Sequence, residues 1–251
     1  MSQKSTPNAF GLFIIGSEIL DGRIQDRHFE NTIRILGEHN YPLRYSAVLA
    51  DDPKLILEKL KWAMSRPEPF FCCGGIGSTP DDYTRQCAAE AVGVPLEYHE
   101  EGVKILKKRF GKEATTSRLK MVEFPKGAKL VPNPVNQIPG FSIGGGHFLP
   151  GFPSMAEPMT VWVLDTYYGI GEVKVTRTLL LPGAREADLV AMLESFIESH
   201  PSINLFSLPK FVEDGTEVLI GLSGTKRHVD KGIEDLVETV ETMEQKWEEK
   251  S

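Results

Sequence analysis

Short apolar runs alternate with stretches whose apolar positions recur at helical spacing across the first ninety residues, and this alternation limits the fold more than any other feature. Residues 10–15, FGLFII, read as a buried strand. Phe29, Ile33 and Leu36 then recur at helical spacing and predict a helix over 26–39. A second strand is expected over 43–49. The stretch ADDPKLILEKLKWAM has an acidic cap at Asp51 or Asp52, Pro53 in its first turn, and Ile56, Leu60 and Ala63 behind it, which predicts a helix. Residues 69–73 give a third strand and residues 82–92 a third helix. Three strand–helix repeats imply a parallel sheet covered by helices on both faces, a fold of α/β class. Ligands in such sheets sit at the carboxyl ends of the strands.

Two loops fall at those ends, residues 16–26 after the first strand and GGIGST after the third. Helical stretches follow over 100–110 and 116–123. The Pro-, Gly- and Asn-rich segment LVPNPVNQIPGFSIGGGHFLPGFPSM reads as short strands and turns, with a helix over 153–167 that Pro158 is expected to bend or to start. Beyond residues 169–171 the character changes. A strand (EVKVTRTLLL) precedes a helix with Leu189, Leu193 and Phe196 aligned. A hairpin turning at Asp214-Gly215 comes next, then an amphipathic helix through Val229, Ile233, Val240 and Met243. That is a small α+β domain of β-α-β-β-α order. The expected division is 1–169 and 170–251.

Composition removes several function classes. The 251 residues carry a net charge of −7 with no dense Lys/Arg block, which argues against nucleic acid as a partner. The apolar run at 10–15 is too short to span a membrane and lacks a signal peptide's basic start and cleavage site, so a cytoplasmic location is expected. Cys72, Cys73 and Cys87 show no C-x-x-C spacing and read as buried small hydrophobes. No H-E-x-x-H pattern is present, and GLSGT at 221–225 lacks the final glycine of a nucleophile elbow.

The stretch FFCCGGIGSTPDDYT carries the chemistry. Gly74, Gly75 and Gly77, with Ile76 between them, let the backbone approach a ligand closely, and N–H groups in such a turn form an anion site. Ser78 and Thr79 add hydroxyls. A plain βα connection would look much the same, but Asp81 and Asp82 follow at once. Acids favour a helix's first turn; beside a phosphate they also need a divalent cation between, a role that suits Mg²⁺. Three more segments are expected at the same end of the sheet: Gly16, Glu18 and Asp21; Asp51 and Asp52; and LPGFPS, with Pro150, Gly151, Pro153 and Ser154. Arg85, Arg118 and Lys120 are either phosphate contacts or plain surface charges.

Four motifs, taken in order, resemble one family. GSEILDGRIQDRHFENT, GGIGSTPDDYT, PKGAKLVPNPVNQIPGF and LPGFPSM are similar to the motifs of CinA-type proteins, members of the MoaB/Mog molybdopterin-binding superfamily. The resemblance implies a three-layer α/β/α sandwich with a mostly parallel sheet, followed by the small domain. It implies that the two glycine turns hold a phosphate, of molybdopterin in some relatives and of ADP-ribose or FAD in others. It further implies that acids matching Asp82, and one near Asp51, serve metal-dependent chemistry. The expected function is metal-dependent hydrolysis of a nucleoside diphosphate linkage, with Asp81, Asp82 and Lys120 catalytic and Glu18, Asp81 and Asp82 holding Mg²⁺, Mn²⁺ or Co²⁺. The alternatives are a molybdopterin- or nucleotide-binding module without turnover, and adenylyl transfer in molybdenum-cofactor assembly. The resemblance stops short of the amidohydrolase domain of full-length CinA, so deamidation is not carried over. Ser17 stands where Asp is common, Cys73 for Thr, Ser78 for Pro and Asn136 for Gly, and the acid expected near Met155 is missing, with Glu157 two places later. A small phosphorylated ligand is the expected partner, in a homo-oligomer that the final helix would permit.

Overall fold

The computed structural model describes residues 6–213 and 215–250; Asp214, half of the turn read from the sequence, lies outside them. Contacts divide the chain into two compact units, Met1–Gly171 and Glu172–Ser251.

The first unit runs β1 (Phe10–Ile15), α1 (Ser17–Leu20), α2 (His28–Glu38), β2 (Leu43–Leu49), α3 (Pro53–Met64), β3 (Phe70–Cys73), α4 (Thr84–Val92), β4 (Leu96–Tyr98), α5 (Glu100–Phe110), α6 (Thr116–Leu119), β5 (Glu123–Pro125), β6 (Lys129–Val131), β7 (Gly140–Ile143), β8 (Gly146–Leu149) and α7 (Pro153–Val163). Six strands form one sheet in the order β2-β1-β3-β8-β7-β6. The first four are parallel, β7 runs antiparallel to β8, and β6 runs antiparallel to β7. The sheet is therefore mostly parallel, as a strand–helix alternation requires.

The period of two in β1 separates two cores. Phe13 and Ile15 join Ile56, Leu60 and Cys87 on one face of the sheet; Phe10, Leu12 and Ile14 join Ile35, Leu36, Met159 and Val163 on the other. Adjacent Cys72 and Cys73 split between the two faces in the same way, both buried as expected. Helices α3 and α4 thus cover one face, α2 and α7 the other, and the three-layer sandwich follows.

Helix α2 corrects one reading. His28, Thr32, Ile35 and Leu36 are its buried side, whereas Phe29 and Ile33 are exposed. Pro158 neither starts nor stops α7, which continues to Val163 and loosens into a wider turn over Leu164–Tyr168.

A polar chain of three side chains is centred on buried His147. Ser142 Oγ lies 2.8 Å from His147 Nδ1, and His147 Nε2 lies 2.7 Å from the Tyr168 hydroxyl. The His147 ring also stacks on Tyr167. Burial alone pushes the His147 pKa down from its ordinary 6.5 to about 3, because a charged imidazolium there would lose its hydration.

The second unit contains β9 (Val175–Pro182), α8 (Glu186–Ser199), β10 (Asn204–Val212), β11 (Gly215–Gly224), α9 (Lys226–Thr242) and β12 (Glu248–Lys250). The strands form an antiparallel sheet in the order β10-β11-β9-β12, with the short β12 added to the expected β-α-β-β-α. Leu189, Leu193 and Phe196 of α8 and Val229, Ile233, Leu236 and Val240 of α9 pack into one core with Leu179, Ile220 and Leu222. Met243, read as part of the α9 stripe, is exposed. The apolar stripe of α9 is consumed inside its own unit, so it offers no bare seam for a subunit contact.

Candidate functional site

The carboxyl ends of β1, β2, β3 and β8 border a cavity of about 610 Å³. Gly16, Glu18, Asp51, Gly74, Gly75, Ile76, Gly77, Ser78, Thr79, Asp81, Asp82, Pro150, Gly151 and Pro153 all line it. Segments far apart in sequence therefore meet where the parallel sheet puts them. Ser154 is exposed on the first turn of α7 and does not line the cavity. Lys120 is also exposed and outside it; its carbonyl accepts a 2.6 Å bond from Arg85. Asp21 pairs with Arg23 away from the cavity.

The glycine turn is held from three sides. Gly74 has φ 107° and Gly75 φ 67°, conformations that side chains resist. A Cβ on Gly74 would overlap the carbonyl of Ile15 in the neighbouring strand, and one on Gly75 would overlap the Thr84 hydroxyl. Buried Thr84 donates to Gly74 O at 3.0 Å, and its N–H donates to Gly75 O at 3.0 Å. The Leu149 carbonyl accepts from Gly74 N at 3.0 Å, which ties this turn to the end of β8. A Cβ built on Gly151 would stand 3.3 Å from Gly74 Cα. The two glycine turns are thus neighbours, linked through the bond from Gly74 N to Leu149 O.

The acids are held as well. Asp82 Oδ2 accepts from the Thr79 N–H at 2.7 Å and from the Thr79 hydroxyl, closing the loop over residues 79–82. Although its bond is to Asp82, the same hydroxyl, with Asp81's own N–H, holds the Asp81 carboxyl below its ordinary pKa. Asp51 and Ser17 bond reciprocally: Ser17 N donates to Asp51 Oδ2 at 2.8 Å and Asp51 N donates to Ser17 Oγ at 3.0 Å. Ser17 therefore adds no charge but anchors the Asp51 carboxyl. Asp52 caps α3 through Lys54 N and Leu55 N. Asp52→Ala is accordingly expected to cost about 1 kcal/mol of stability and to leave ligand binding unchanged, whereas Asp51→Ala weakens binding; thermal melts with and without ADP-ribose measure both.

Several cavity residues escaped the sequence reading. His28 is buried, and its Nε2 lies 3.1 Å from Gly151 O, so the neutral ring donates to the second glycine turn. Burial lowers its pKa, opposed by that carbonyl and by Asp26. Asp26 itself accepts from His28 N and Phe29 N at the head of α2. Only its place just after the first loop could have singled out His28. Opposite the glycines, Ile19, Ile24, Met121, Ile138, Phe152 and Met155 give the cavity an apolar wall, where Asn136 Nδ2 reaches Met155 Sδ at 3.2 Å. Buried Arg85 is absorbed by the Lys120 and Glu123 carbonyls, and Arg118 by Glu113; neither is a phosphate contact here.

Charge decides what can enter. Glu18, Asp26, Asp51, Asp81 and Asp82 line the cavity against Arg27 and a His28 whose proton affinity is lowered. Bare phosphate would be repelled by that set. Among the described residues, no group of three or more His, Cys, Asp or Glu side chains could hold a metal ion, so Glu18, Asp81 and Asp82 are not gathered as a cage. The donor set fits a divalent cation as the companion of a phosphate that supplies the remaining oxygens, the usual manner of Mg²⁺. No described helix is long and apolar enough to cross a membrane.

An α/β/α sandwich with glycine turns at its strand ends defines the class. Residues 11–168 match the family described as a probable molybdopterin binding domain, and the chain belongs to that family. Within it the chain is similar to CinA-like proteins. It is 30% identical over 214 residues to a CinA-like protein of Sulfurihydrogenibium sp., covering 82% of this chain and 54% of that one, about half of its length. A protein of Pyrobaculum arsenaticum is 30% identical over 215 residues, with 82% and 81% covered. The crystal structure of the protein CinA, of unknown function, from Thermoplasma acidophilum superposes with a TM-score of 0.58 at 29% identity, over 64% of this chain and 98% of that chain.

Proposed function

We propose that the cavity binds a nucleoside diphosphate compound, such as ADP-ribose or a dinucleotide, and that the chain hydrolyses its diphosphate linkage in the presence of Mg²⁺, Mn²⁺ or Co²⁺. The observation that supports this reading is that the Gly74 and Gly151 turns are neighbours and line one cavity with Asp81 and Asp82. The cation, when bound with the ligand, neutralises and polarises the diphosphate and lowers the pKa of an attacking water. The chain supplies the rest. Residues 75–78 and Gly151 orient the phosphates with main-chain amides, which need no reorganisation as charge develops. Asp81 and Asp82 offer carboxyl oxygens within the same cavity. The apolar wall of Ile24, Ile138, Phe152 and Met155 takes a ring and excludes water from it.

One observation favours a second reading, a pterin- or nucleotide-binding module without turnover: Asp82 and Asp51 already accept protein hydrogen bonds. Incubation with ADP-ribose, FAD and ATP, with and without each metal, separates the two. Metal-dependent release of AMP supports hydrolysis; thermal stabilisation without products supports the module; neither effect removes both. Asp82→Asn keeps an acceptor for Thr79 while removing charge. It is expected to lower AMP release by about 100-fold or more with little change in melting temperature, and an unchanged rate would discard Asp82 as a charge that matters.

A further inference from the structure

Asn136, one of the departures from the motif pattern, has a side chain held in one orientation. The loop around it is pinned first. Asn133 Oδ1 accepts from Val135 N at 3.0 Å and from Asn136 N at 3.3 Å, and Asn133 O accepts from Gln137 N at 3.0 Å. Ile138 N then donates to Asn136 Oδ1 at 2.9 Å. Only the amide oxygen can accept from a backbone N–H, so the other end of the amide is fixed as the donor. That end, Nδ2, lies 3.2 Å from Met155 Sδ. A thioether is a weak acceptor, and the second Nδ2 hydrogen has no protein partner among the described residues.

Asn136, Ile138 and Met155 all line the cavity, so this half-buried donor stands on its apolar wall. The rest of that wall discriminates little. Isoleucine and phenylalanine accept any flat ring, and methionine adapts its shape to what it meets. Gln25, the other amide lining the cavity, is exposed, and no bond to a described residue fixes it. We propose that Asn136 reads the ring of the bound nucleotide, its Nδ2 donating to an acceptor atom on the ring's edge. This rests on the reading that the cavity takes a nucleoside diphosphate compound. The donor gives up a sulfur for a nitrogen or oxygen when the right ring enters, and stays poorly paired when the ring has no acceptor there. That difference is what lets one hydrogen bond discriminate where an apolar wall cannot.

Calorimetric titration of the full chain with ADP or with pyrophosphate, each with Mg²⁺, tests this. Asn136→Ser keeps a hydroxyl that can accept from Ile138 N and loses the donor. It should bind ADP about tenfold more weakly than the wild type does, and bind pyrophosphate, which has no ring, with unchanged affinity. Adenine has ring acceptors at N1, N3 and N7, and each deaza analogue of ADP removes one of them. One analogue should bind the wild type about tenfold more weakly than ADP does, and that analogue alone should bind wild type and Asn136→Ser equally. Equal binding of ADP by the two proteins, a loss shared by pyrophosphate, or a loss in the variant that persists for every analogue overturns the ring contact and leaves the cavity reading standing. A wild type that does not bind ADP removes that reading, and the ring contact with it.

Discussion

Gly74→Ala is expected to cost the first unit about 2–4 kcal/mol and to remove ligand binding altogether. Two effects add. The backbone at Gly74 sits at φ 107°, and the new methyl group would drive into the Ile15 carbonyl, which cannot yield because it lies at the end of a central strand. Either the turn flattens and its N–H groups turn away from the ligand, or β1 and β3 part where the cavity begins. Gly93→Ala is the control. That residue also has a positive φ, 73°, but a Cβ there meets nothing within 4 Å, so only the backbone term of about 1 kcal/mol remains. Urea unfolding of both variants, followed by a probe in the first unit, measures the difference. Equal losses would mean that the clash at the sheet is absent.

Lowering the pH from about 6.5 to 3 is expected to remove on the order of 4 kcal/mol of stability through His147 alone. The sign follows from its surroundings. Its folded pKa, about 3, lies below its unfolded value of 6.5. Above 6.5 both states are neutral and the contribution is intact. Between the two values the unfolded chain takes up a proton that the folded chain refuses, so stability drains as pH falls towards 3. The residue is 4% exposed, which leaves solvent little opportunity to screen the effect. His147→Gln keeps groups that can bond Ser142 and Tyr168 but does not titrate. Its unfolding free energy should be lower at neutral pH and fall less steeply below pH 6, by about 1.4 kcal/mol per pH unit. Parallel slopes for wild type and variant would show that His147 is protonated in the folded chain.

The strands and most helices were legible because their signals are local. FGLFII, PKLILEKLKWAM with its Asp52 cap, and the glycine turn each carry their own instruction. Parallel pairing then sends the ends of four strands to one side, so the sequence alone groups Gly16, Asp51, Gly74 and Gly151. The face of α2 was not legible. Its sequence holds two stripes at helical spacing, and apolar character favours Phe29 and Ile33. The buried stripe includes His28 and Thr32, polar side chains, with His28 satisfied by a carbonyl 123 positions away. Arg85 misled for the same reason, while Lys120 lies exposed outside the cavity. Whether a cation meets ligand or its own backbone depends on a partner segment, here residues 120–123, that spacing does not reveal. Short β12 pairs only because β9 offers an edge.

Amide chemical shifts of the ¹⁵N-labelled protein, titrated with ADP-ribose and Mg²⁺, test the central claim most directly. If both glycine turns hold one phosphate group, the N–H signals of Gly75, Gly77 and Gly151 move together along a single binding curve, and they stay in place without the cation. Movement of one turn while the other is silent, or of neither while the ligand binds elsewhere, would contradict it.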